Sequence, residues 1–186
     1  MDWYRILHTI GLYLTTSGQA RAKYIKKHNI FYRMGDKCMV MFRKIPLYPK
    51  LISIGNNVWI ASNVLLVPHD VIHRMLNNFI EGEEFQENLG CIDIRDNVFI
   101  GSNTTVLSNV IIGSNTIIAA GSLINKSIPG NGVYVGVPAK YICSLDELIE
   151  KRRNIAKIEI KLSMHGLSDE TIEAVWKKFK KEAQNE

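Results

Sequence analysis

The amino-acid sequence predicts an all-β solenoid of short parallel strands, with an N-terminal helical segment, one extruded loop and a C-terminal pair of helices. Two observations predict the solenoid. Aliphatic residues recur every six positions in two runs, and asparagine stands three positions after most of them. A short fixed period is typical of solenoids, in which each unit buries its apolar face by stacking on its neighbours.

Nine aliphatic anchors define the repeat. They are Ile54, Ile60 and Leu66 in the first run, and Ile94, Ile100, Val106, Ile112, Ile118 and Ile124 in the second. Six residues are too few for a helical repeat but fit a strand of about four residues and a corner. Three walls of six residues would make an eighteen-residue coil, with coils stacked about 4.8 Å apart.

The corner position of each hexapeptide is occupied mostly by asparagine. The residues there are Asn57, Asn63, His69, Asn97, Asn103, Asn109, Asn115, Gly121 and Ser127. Asparagine and glycine suit corners because they adopt the left-handed backbone region at low cost. The break at His69 therefore indicates a position that is selected for its chemistry.

The two runs are out of phase, which predicts an insertion. If Ile94 begins the wall that follows Leu66, about 22 extra residues within 67–91 leave the coil at one corner, and His69 lies where they leave. The register then predicts three aliphatic columns. They are Ile54, Ile94 and Ile112, then Ile60, Ile100 and Ile118, then Leu66, Val106 and Ile124.

The regions flanking the repeat change period. Residues 1–50 form an N-terminal segment that is helical to about residue 30, with Ile6, Leu7, Ile10 and Leu14 on one face. Residues 38–53 are expected to form an irregular first coil. Residues 51–142 are the repeat region, and residues 143–186 form a third, helical part.

In the C-terminal part, Ser144 and Glu147 fit a capping box, so we expect a helix from about Leu145 that Gly166 ends. Ser168 is expected to cap a second helix. Its apolar face consists of Ile172, Val175, Trp176 and Phe179.

Composition excludes several classes of protein. The 186 residues are 46% hydrophobic but contain no run of about 18 apolar residues, so no transmembrane helix is expected. The start of the chain lacks the basic region and cleavage site of a signal peptide. Cys38, Cys91 and Cys143 are odd in number and widely spaced, which fits neither a disulfide framework nor a cysteine metal site. A cytoplasmic location is therefore expected.

The net charge of +5 is concentrated in Arg21–Lys27, Lys151–Arg153 and Lys177–Lys181. No nucleic-acid-binding motif accompanies it, so a nucleic-acid partner is not expected. Solvated helix faces explain such charge, and so does attraction to a polyanionic ligand or to an acidic membrane surface at the N-terminal segment. The sequence leaves these alternatives open.

Two long strings identify a family likeness: IGNNVWIASNVLLVPHD and IRDNVFIGSNTTVLSNVIIGSNTIIAAGSLINKSIPGNGVYVGVPAKYI. They resemble the hexapeptide-repeat acyltransferases, in the group of the maltose, galactoside, xenobiotic and polysaccharide acetyltransferases. The resemblance covers about half of the chain. It implies a left-handed parallel β-helix, a homotrimer with sites between subunits, and acetyl-CoA as co-substrate without a metal.

The resemblance implies that His69 is catalytic, because the family places a histidine at the start of the extruded loop. A neutral imidazole, with an ordinary pKa of about 6.5, can take the proton of an acceptor hydroxyl. His73 is the rival base and shares a face with His69 if that stretch is helical. Asp70 is expected either to cap the loop or to bind substrate, and Trp59 either to line the acceptor pocket or to pack at the coil edge.

The second run supplies the positions at which the family binds coenzyme A. Ser102 and Ala120 would contact the pantetheine arm, and Phe99 would stand near the thioester. Asn125 and Lys126 match a loop near the adenosine phosphates, and Lys140 falls where the family often has a basic residue. Lysine is chemically apt for phosphate.

The predicted function is acetyl-CoA-dependent O-acetylation of a carbohydrate hydroxyl, in surface polysaccharide biosynthesis. The FRKIPLYPKLISIG segment departs from the maltose and galactoside type, and the segment with HDVIH is more similar to the polysaccharide branch. The alternatives are a xenobiotic or amino-sugar N-acetyltransferase of the same fold and a non-catalytic scaffold.

A zinc hydratase of the related γ-carbonic-anhydrase type would need three histidine ligands. The repeat region offers only His69 and His73, because His8, His28 and His165 lie outside it. No metal site is therefore expected.

Overall fold

The computed structural model describes residues 3–155, 157–163 and 166–184, which leaves His165 outside the description. The chain divides into two compact units, one up to Leu148 and one from Ile149. The helices are α1 (Trp3–Leu14), α2 (Gly18–Lys27), α3 (Ile72–Phe79), α4 (Leu145–Arg153) and α5 (Asp169–Ala183). No helix in these ranges is long and apolar enough to cross a membrane.

The first unit is built on short strands. In chain order they are β1 (Arg33–Met34), β2 (Met39–Val40), β3 (Ile52–Ile54), β4 (Trp59–Ile60), β5 (Leu65–Val67), β6 (Ile92–Ile94), β7 (Val98–Ile100), β8 (Thr105–Leu107), β9 (Val110–Ile112), β10 (Thr116–Ile118), β11 (Leu123–Ile124), β12 (Gly132–Val135) and β13 (Lys140–Ser144). A short 3₁₀ turn at Pro49–Leu51 precedes β3.

The chain visits three sheets in rotation. Sheet A has the order β1-β3-β6-β9, sheet B the order β13-β12-β10-β7-β4-β2, and sheet C the order β11-β8-β5. Neighbouring strands are parallel, apart from the antiparallel pair β12–β13. Since β3, β4 and β5 enter sheets A, B and C in turn, and the next two triplets repeat this, the observed parallel sheets have the connectivity of a three-walled coil.

The predicted register of the three columns is confirmed. Ile94 pairs with both Ile54 and Ile112, Ile100 with both Ile60 and Ile118, and Val106 with both Leu66 and Ile124. All nine side chains are buried. The apolar core is therefore a stack of aliphatic layers between the three sheets. Its burial stabilises the fold by about 25 cal/mol for each Å² of apolar surface removed from water.

The predicted corners are confirmed as well. All six corner asparagines have a positive φ, between 53° and 59°, and Gly121 has a φ of 71°. At the corner between sheets A and B, the asparagine amides form a ladder along the coil axis. Each side-chain amide donates to the next carbonyl oxygen, from Asn57 to Asn97, Asn115 and Asn131 at 2.9–3.0 Å.

Small residues after the anchors let adjacent coils approach. A Cβ atom on Gly113 would lie 2.1 Å from the carbonyl oxygen of Pro129 in the next coil. Such a contact is sterically forbidden, so glycine at this position is a requirement of the stacking.

The N-terminal segment is helical, as predicted, and most of the apolar residues on the predicted face of α1 are exposed. It forms two helices, and the buried residues of α1 are His8 and Leu12, whereas Leu7, Ile10 and Leu14 are exposed. The reason is the packing of α2: the hydroxyl of Tyr24 lies 3.0 Å from Nδ1 of His8 and holds the polar side of α1 inward.

The stack also begins before the expected boundary at residue 51. Strands β1 and β2 already pair with β3 and β4 in parallel. Strand β2 lies in the segment predicted to be an irregular first coil, and its pairing with β4 agrees with that prediction.

In the C-terminal part, the cap of α4 is confirmed, because Oγ of Ser144 accepts from the backbone N–H of Glu147 at 3.1 Å. The helix ends at Arg153, not near Gly166. The alternation of Ile158, Ile160 and Leu162 with polar residues favours extended chain there. Strands β14 (Leu162–Ser163) and β15 (Gly166–Leu167) follow as an antiparallel pair.

Helix α5 begins as predicted. Oγ of its N-cap residue Ser168 accepts from the backbone N–H of Thr171. The apolar face predicted for this helix is exposed. The exposed fraction of its residues is 40–58%, for Ile172, Val175, Trp176 and Phe179.

The stacked core gives a direct stability prediction. Ile100 is completely buried in the middle of its column. We expect Ile100→Ala to lower the free energy of unfolding by about 2–5 kcal/mol, from lost transfer energy and the cavity left behind. Urea unfolding followed by circular dichroism, at fixed protein concentration, measures this change.

Ile111→Ala is the matched control, because Ile111 points outward from sheet A and is 46% exposed. The Ile111→Ala substitution should lower the free energy of unfolding by less than about 1 kcal/mol. Equal losses in the two variants would contradict the assignment of inward and outward faces.

Candidate active site

His69 lies where the chain leaves sheet C after β5, at the base of the extruded loop. The two arms of the loop are joined there. The N–H of Gly90 donates to the carbonyl of Pro68 at 2.8 Å, and the N–H of Asp70 donates to the carbonyl of Asn88 at 3.1 Å. His69 itself bridges Leu89 in antiparallel fashion. These backbone bonds fix the position of His69 on the coil although the loop projects from it.

An aromatic ring that the sequence analysis did not single out packs against His69. The ring of Tyr48 meets the imidazole edge-to-face, with centroids 5.3 Å apart. The hydroxyl of Tyr48 donates to Oε2 of Glu87 at 2.8 Å, and this bond raises the pKa of Tyr48. Tyr48 therefore connects the segment before β3 to the returning arm of the loop.

The imidazole of His69 is half-buried. Its Nδ1 atom is shielded from solvent, and among the described residues it has no hydrogen-bond partner. In particular it forms no hydrogen bond with the neighbouring Asp70, so no Asp–His dyad is present at this position.

His69 lines a groove of about 660 Å³. The groove is bounded by Arg5 and Tyr13 of α1, by residues 41–47, and by residues 62–67 at the end of sheet B and in β5. It therefore brings the N-terminal helix and the FRKIPL part of the sequence to the predicted catalytic histidine. The sequence signal for this wall was the basic and aromatic character of that segment.

The charges that line the groove are all positive. They belong to Arg5, Arg43 and Lys44, and none of the lining residues in the described structure is acidic. Nη1 of Arg43 donates to the carbonyl of Tyr13 at 2.9 Å, and its guanidinium carbon lies 5.8 Å from the centre of the Tyr13 ring. Arg5 donates to the carbonyl of Ile45 at 3.3–3.4 Å.

Asp70 makes bonds within the loop. Its Oδ2 accepts from the side-chain amide of Asn88 at 3.0 Å, and its Oδ1 accepts from the N–H of Ile72 at 3.1 Å. These two bonds, in that order, lower the pKa of Asp70. This geometry agrees with the expectation that Asp70 caps the loop, whereas a role of Asp70 in substrate binding stays a prediction.

His73 lies in the first turn of α3. Because that helix begins at Ile72, His69 is outside it, and the expected shared helical face of the two histidines does not form. Nδ1 of His73 is also shielded and has no partner in the part of the chain that the structure describes. No group of three His, Cys, Asp or Glu side chains that could hold a metal occurs in those residues.

Trp59 and Phe99 lie on a different wall from the groove. They are register partners on the outer face of sheet B, 39% and 41% exposed, and neither lines the cavity at His69. The indole N–H of Trp59 donates to Oδ1 of Asn57 at 3.1 Å. The register of sheet B places both in an outward apolar row, here called the sheet B stripe: Met39, Trp59, Phe99, Ile117 and Val133.

Ser102 and Ala120 lie in the corner between sheets B and C. The N–H of Gly121 donates to the carbonyl of Ser102 at 2.8 Å, and the N–H of Asn103 donates to the carbonyl of Ser62 at 3.1 Å. Ser62 lines the groove. The two predicted cofactor residues therefore continue, coil by coil, a row that starts at the groove.

Asn125 and Lys126 follow β11 and directly precede Ser127, which occupies the corner position equivalent to His69. They line a second cavity of about 320 Å³ together with Pro129, Pro138 and Ala139. Lys140 follows Ala139 at the start of β13. Both lysines are exposed, and neither forms an ion pair with another described residue.

Comparison with known proteins matches residues 92–126 to the bacterial transferase hexapeptide (six repeats). This range contains all six anchors of the second run of the repeat. Galactoside O-acetyltransferase of Escherichia coli (strain K12) is 40% identical over 98 residues, which are 52% of this chain and 45% of that protein. YvoF of Bacillus subtilis (strain 168) is 30% identical over 112 residues, 60% of this chain and 58% of its own length.

The chain thus spans about half the length of the curated relatives it matches. Among solved structures, a galactoside acetyltransferase in complex with coenzyme A superposes with a TM-score of 0.54 at 26% identity. That match covers 86% of this chain and 88% of the other. The hexapeptide coil and its flanking segments therefore share the fold of that acetyltransferase.

The contact between Tyr48 and His69 can be tested by two substitutions. Tyr48→Phe removes the hydroxyl that bonds Glu87 but keeps the ring, whereas Tyr48→Leu removes both. We expect the imidazole proton resonances of His69 to stay near their wild-type positions in Tyr48→Phe and to move in Tyr48→Leu, because only the latter removes the ring-current field. Proton NMR measures this, with His69→Asn to assign the signals. Equal shifts in both variants would contradict the edge-to-face contact.

Proposed function

We propose that this protein is an acetyl-CoA-dependent O-acetyltransferase that acts on a carbohydrate hydroxyl, with His69 as the general base. The observation that carries the proposal is the position of His69. It replaces the corner asparagine, is held by the joined base of the loop, and faces a groove large enough for a sugar. The likeness to galactoside acetyltransferase, in sequence and in fold, supports the reaction class.

The proposed role of His69 is to take the proton of the acceptor hydroxyl. Nε2 is the nitrogen suited to this, because Nδ1 is shielded. For Nε2 to accept a proton, Nδ1 must carry the hydrogen of the neutral imidazole, and burial of an N–H without an acceptor is unfavourable. A movement of the imidazole or of the loop on substrate binding would have to bring an acceptor to Nδ1.

The donor residues fit a phosphate-bearing ligand. Acetyl-CoA would supply the acetyl group as a thioester. Lys126 lines the second cavity, Lys140 follows its lining residue Ala139 in the chain, and exposed cations of this kind suit phosphate groups. Ser102 and Ala120 lie in the row that leads to the groove and are placed to bind an extended arm. Phe99 and Trp59 face another wall, so their proposed contacts would serve the site of a neighbouring copy.

The assembly is part of the same proposal. We infer a left-handed β-helix and a homotrimer, in which the sheet B stripe is covered by a neighbour, because large exposed apolar patches usually mark interaction sites. Light scattering should give a mass close to three times the 21.1 kDa of the chain. A cytoplasmic location and a role in surface polysaccharide synthesis complete the proposal.

The donor site predicts that coenzyme A stabilises the folded protein. A ligand that binds only the native state raises its stability, by about 2.7 kcal/mol at one hundred times its Kd. We expect coenzyme A and acetyl-CoA to raise the Tm in a thermal scan, and Lys126→Ala to reduce the rise. Lys27→Ala, at an exposed lysine outside both cavities, is the control. Absence of any shift at millimolar ligand would favour a non-catalytic scaffold.

The base is tested by comparing the two loop histidines. We expect His69→Asn to lower acetyl transfer by a factor of about 10²–10⁴, the usual contribution of general base catalysis, and to leave coenzyme A binding intact. His73→Asn should retain most of the activity. Release of the coenzyme A thiol, measured over a panel of sugars, amino-sugars and antibiotics, reports the rate and identifies the acceptor. The reverse order of the two variants would assign the base to His73.

A further inference from the structure

We propose that the acceptor carries a negative charge, a carboxylate or phosphate on the sugar, and that Arg43 and Lys44 bind it in the groove beside His69. The inference rests on the proposed function, since it takes the groove as the place where the acceptor binds. It adds a substrate class and a subsite that the catalytic argument does not require.

The first observation is the sign of the charge in the groove. Its described lining contains Arg5, Arg43 and Lys44 and no acidic residue. A concave surface with charges of one sign concentrates the field inside it and attracts ligands of the opposite sign. A neutral sugar would leave that field without a partner, whereas a carboxylate or phosphate would be attracted by it.

The second observation is a buried cation directly behind the groove. Arg21 is 1% exposed, and no carboxylate of the described residues is within ion-pair distance of it. Its Nε donates to the carbonyl of Val40 at 2.8 Å and its Nη1 to the carbonyl of Thr15 at 3.0 Å. The two carbonyls satisfy part of its hydrogen-bonding capacity, but no described carboxylate offsets its full positive charge, so an anion nearby would be stabilised by it.

The position of Arg21 indicates where such an anion would lie. Its Nη2 is 3.3 Å from the thioether sulfur of Met41, and Met41 lines the groove. A thioether is a weak acceptor and a flexible side chain. An anion in the groove would therefore be separated from Arg21 by one soft side chain and would help to balance its charge.

Arg43 is held in place to receive such an anion. One of its nitrogens is bound by the carbonyl of Tyr13, and its guanidinium lies near the Tyr13 ring. This arrangement fixes the planar fork and leaves further N–H donors for a bidentate contact with a carboxylate or phosphate. Lys44 is exposed, makes no described hydrogen bond, and can add a second positive charge without rearrangement of the fold.

The rest of the lining fits a sugar and not a bare ion. A volume of about 660 Å³ is within the range of small-molecule sites. Ser62 and Asn63 supply polar groups, and Leu47 and Leu65 supply apolar contact. The anionic group would bind at Arg43 and Lys44, while the hydroxyl that is acetylated would face His69.

The test is a binding experiment without donor. Isothermal titration of glucose, glucuronate and glucose 1-phosphate into the full-length protein compares a neutral sugar with two anionic relatives. We expect at least one anion to bind about tenfold or more tightly than glucose, as hydrogen bonds to charged groups imply, and added NaCl to weaken that preference. The better of the two anions identifies the group as carboxylate or phosphate.

The variants separate the proposed subsite from general charge. Arg43→Gln and Lys44→Gln should each lower the preference for the anion, Arg43→Gln by about tenfold, while glucose binding is unchanged. Lys27→Gln alters the net charge equally and should leave the preference intact. Because Lys44 has no described bond to the fold, its variant tests the charge even if Arg43→Gln is destabilised.

The outcomes distinguish this inference from the proposed function. Equal binding of glucose and both anions, or anion binding unaffected by both substitutions, overturns the anionic acceptor. The transferase proposal survives that result if coenzyme A still stabilises the protein and neutral sugars are acetylated. Conversely, lack of coenzyme A binding defeats the transferase proposal, whereas the anion preference is measured without donor.

Discussion

Every part of the first unit depends on the stacking of equivalent positions in successive coils. One inward aliphatic side chain per wall lies directly over the same position of the coil before it, as Ile60, Ile100 and Ile118 do. The corners at the six asparagines and Gly121 turn through the left-handed region, which asparagine and glycine adopt at low cost. An insertion can leave such a stack only at a corner, and its two arms must be joined there so that the next wall keeps its register.

This constraint explains why much of the fold was predictable. The columns, the corner residues, the place of the loop and the caps at Ser144 and Ser168 are set by local sequence and by a period that repeats. The buried side of α1 was not predictable in the same way. Its inward residue His8 is chosen by the tertiary partner Tyr24, while the apolar residues that fit the helical pattern face outward.

The candidate site also contains residues that the repeating sequence indicates and residues that only tertiary contacts bring to it. The sequence made His69 a candidate because it interrupts a pattern, and it made Ser102, Ala120 and Lys126 candidates by family likeness; their roles stay predictions. It did not indicate Tyr48 or the cationic wall, because these residues precede the regular repeat and reach His69 only through the folded N-terminal helices. The burial of Arg21 could not be predicted from a sequence period, and its charge balance depends on which carboxylates lie near it in the folded chain.

The geometry of the coil also limits which residues can share a site. Residues eighteen apart share a column, and residues at neighbouring corners can flank one sheet, but residues on different walls point in different directions. Trp59 and Phe99 lie on sheet B, whereas His69 leaves the far edge of sheet C. Side chains on separate faces of one convex coil do not converge on one ligand. If Phe99 binds the donor and His69 activates the acceptor, these two groups must come from different copies of the chain, and assembly is then a condition of catalysis.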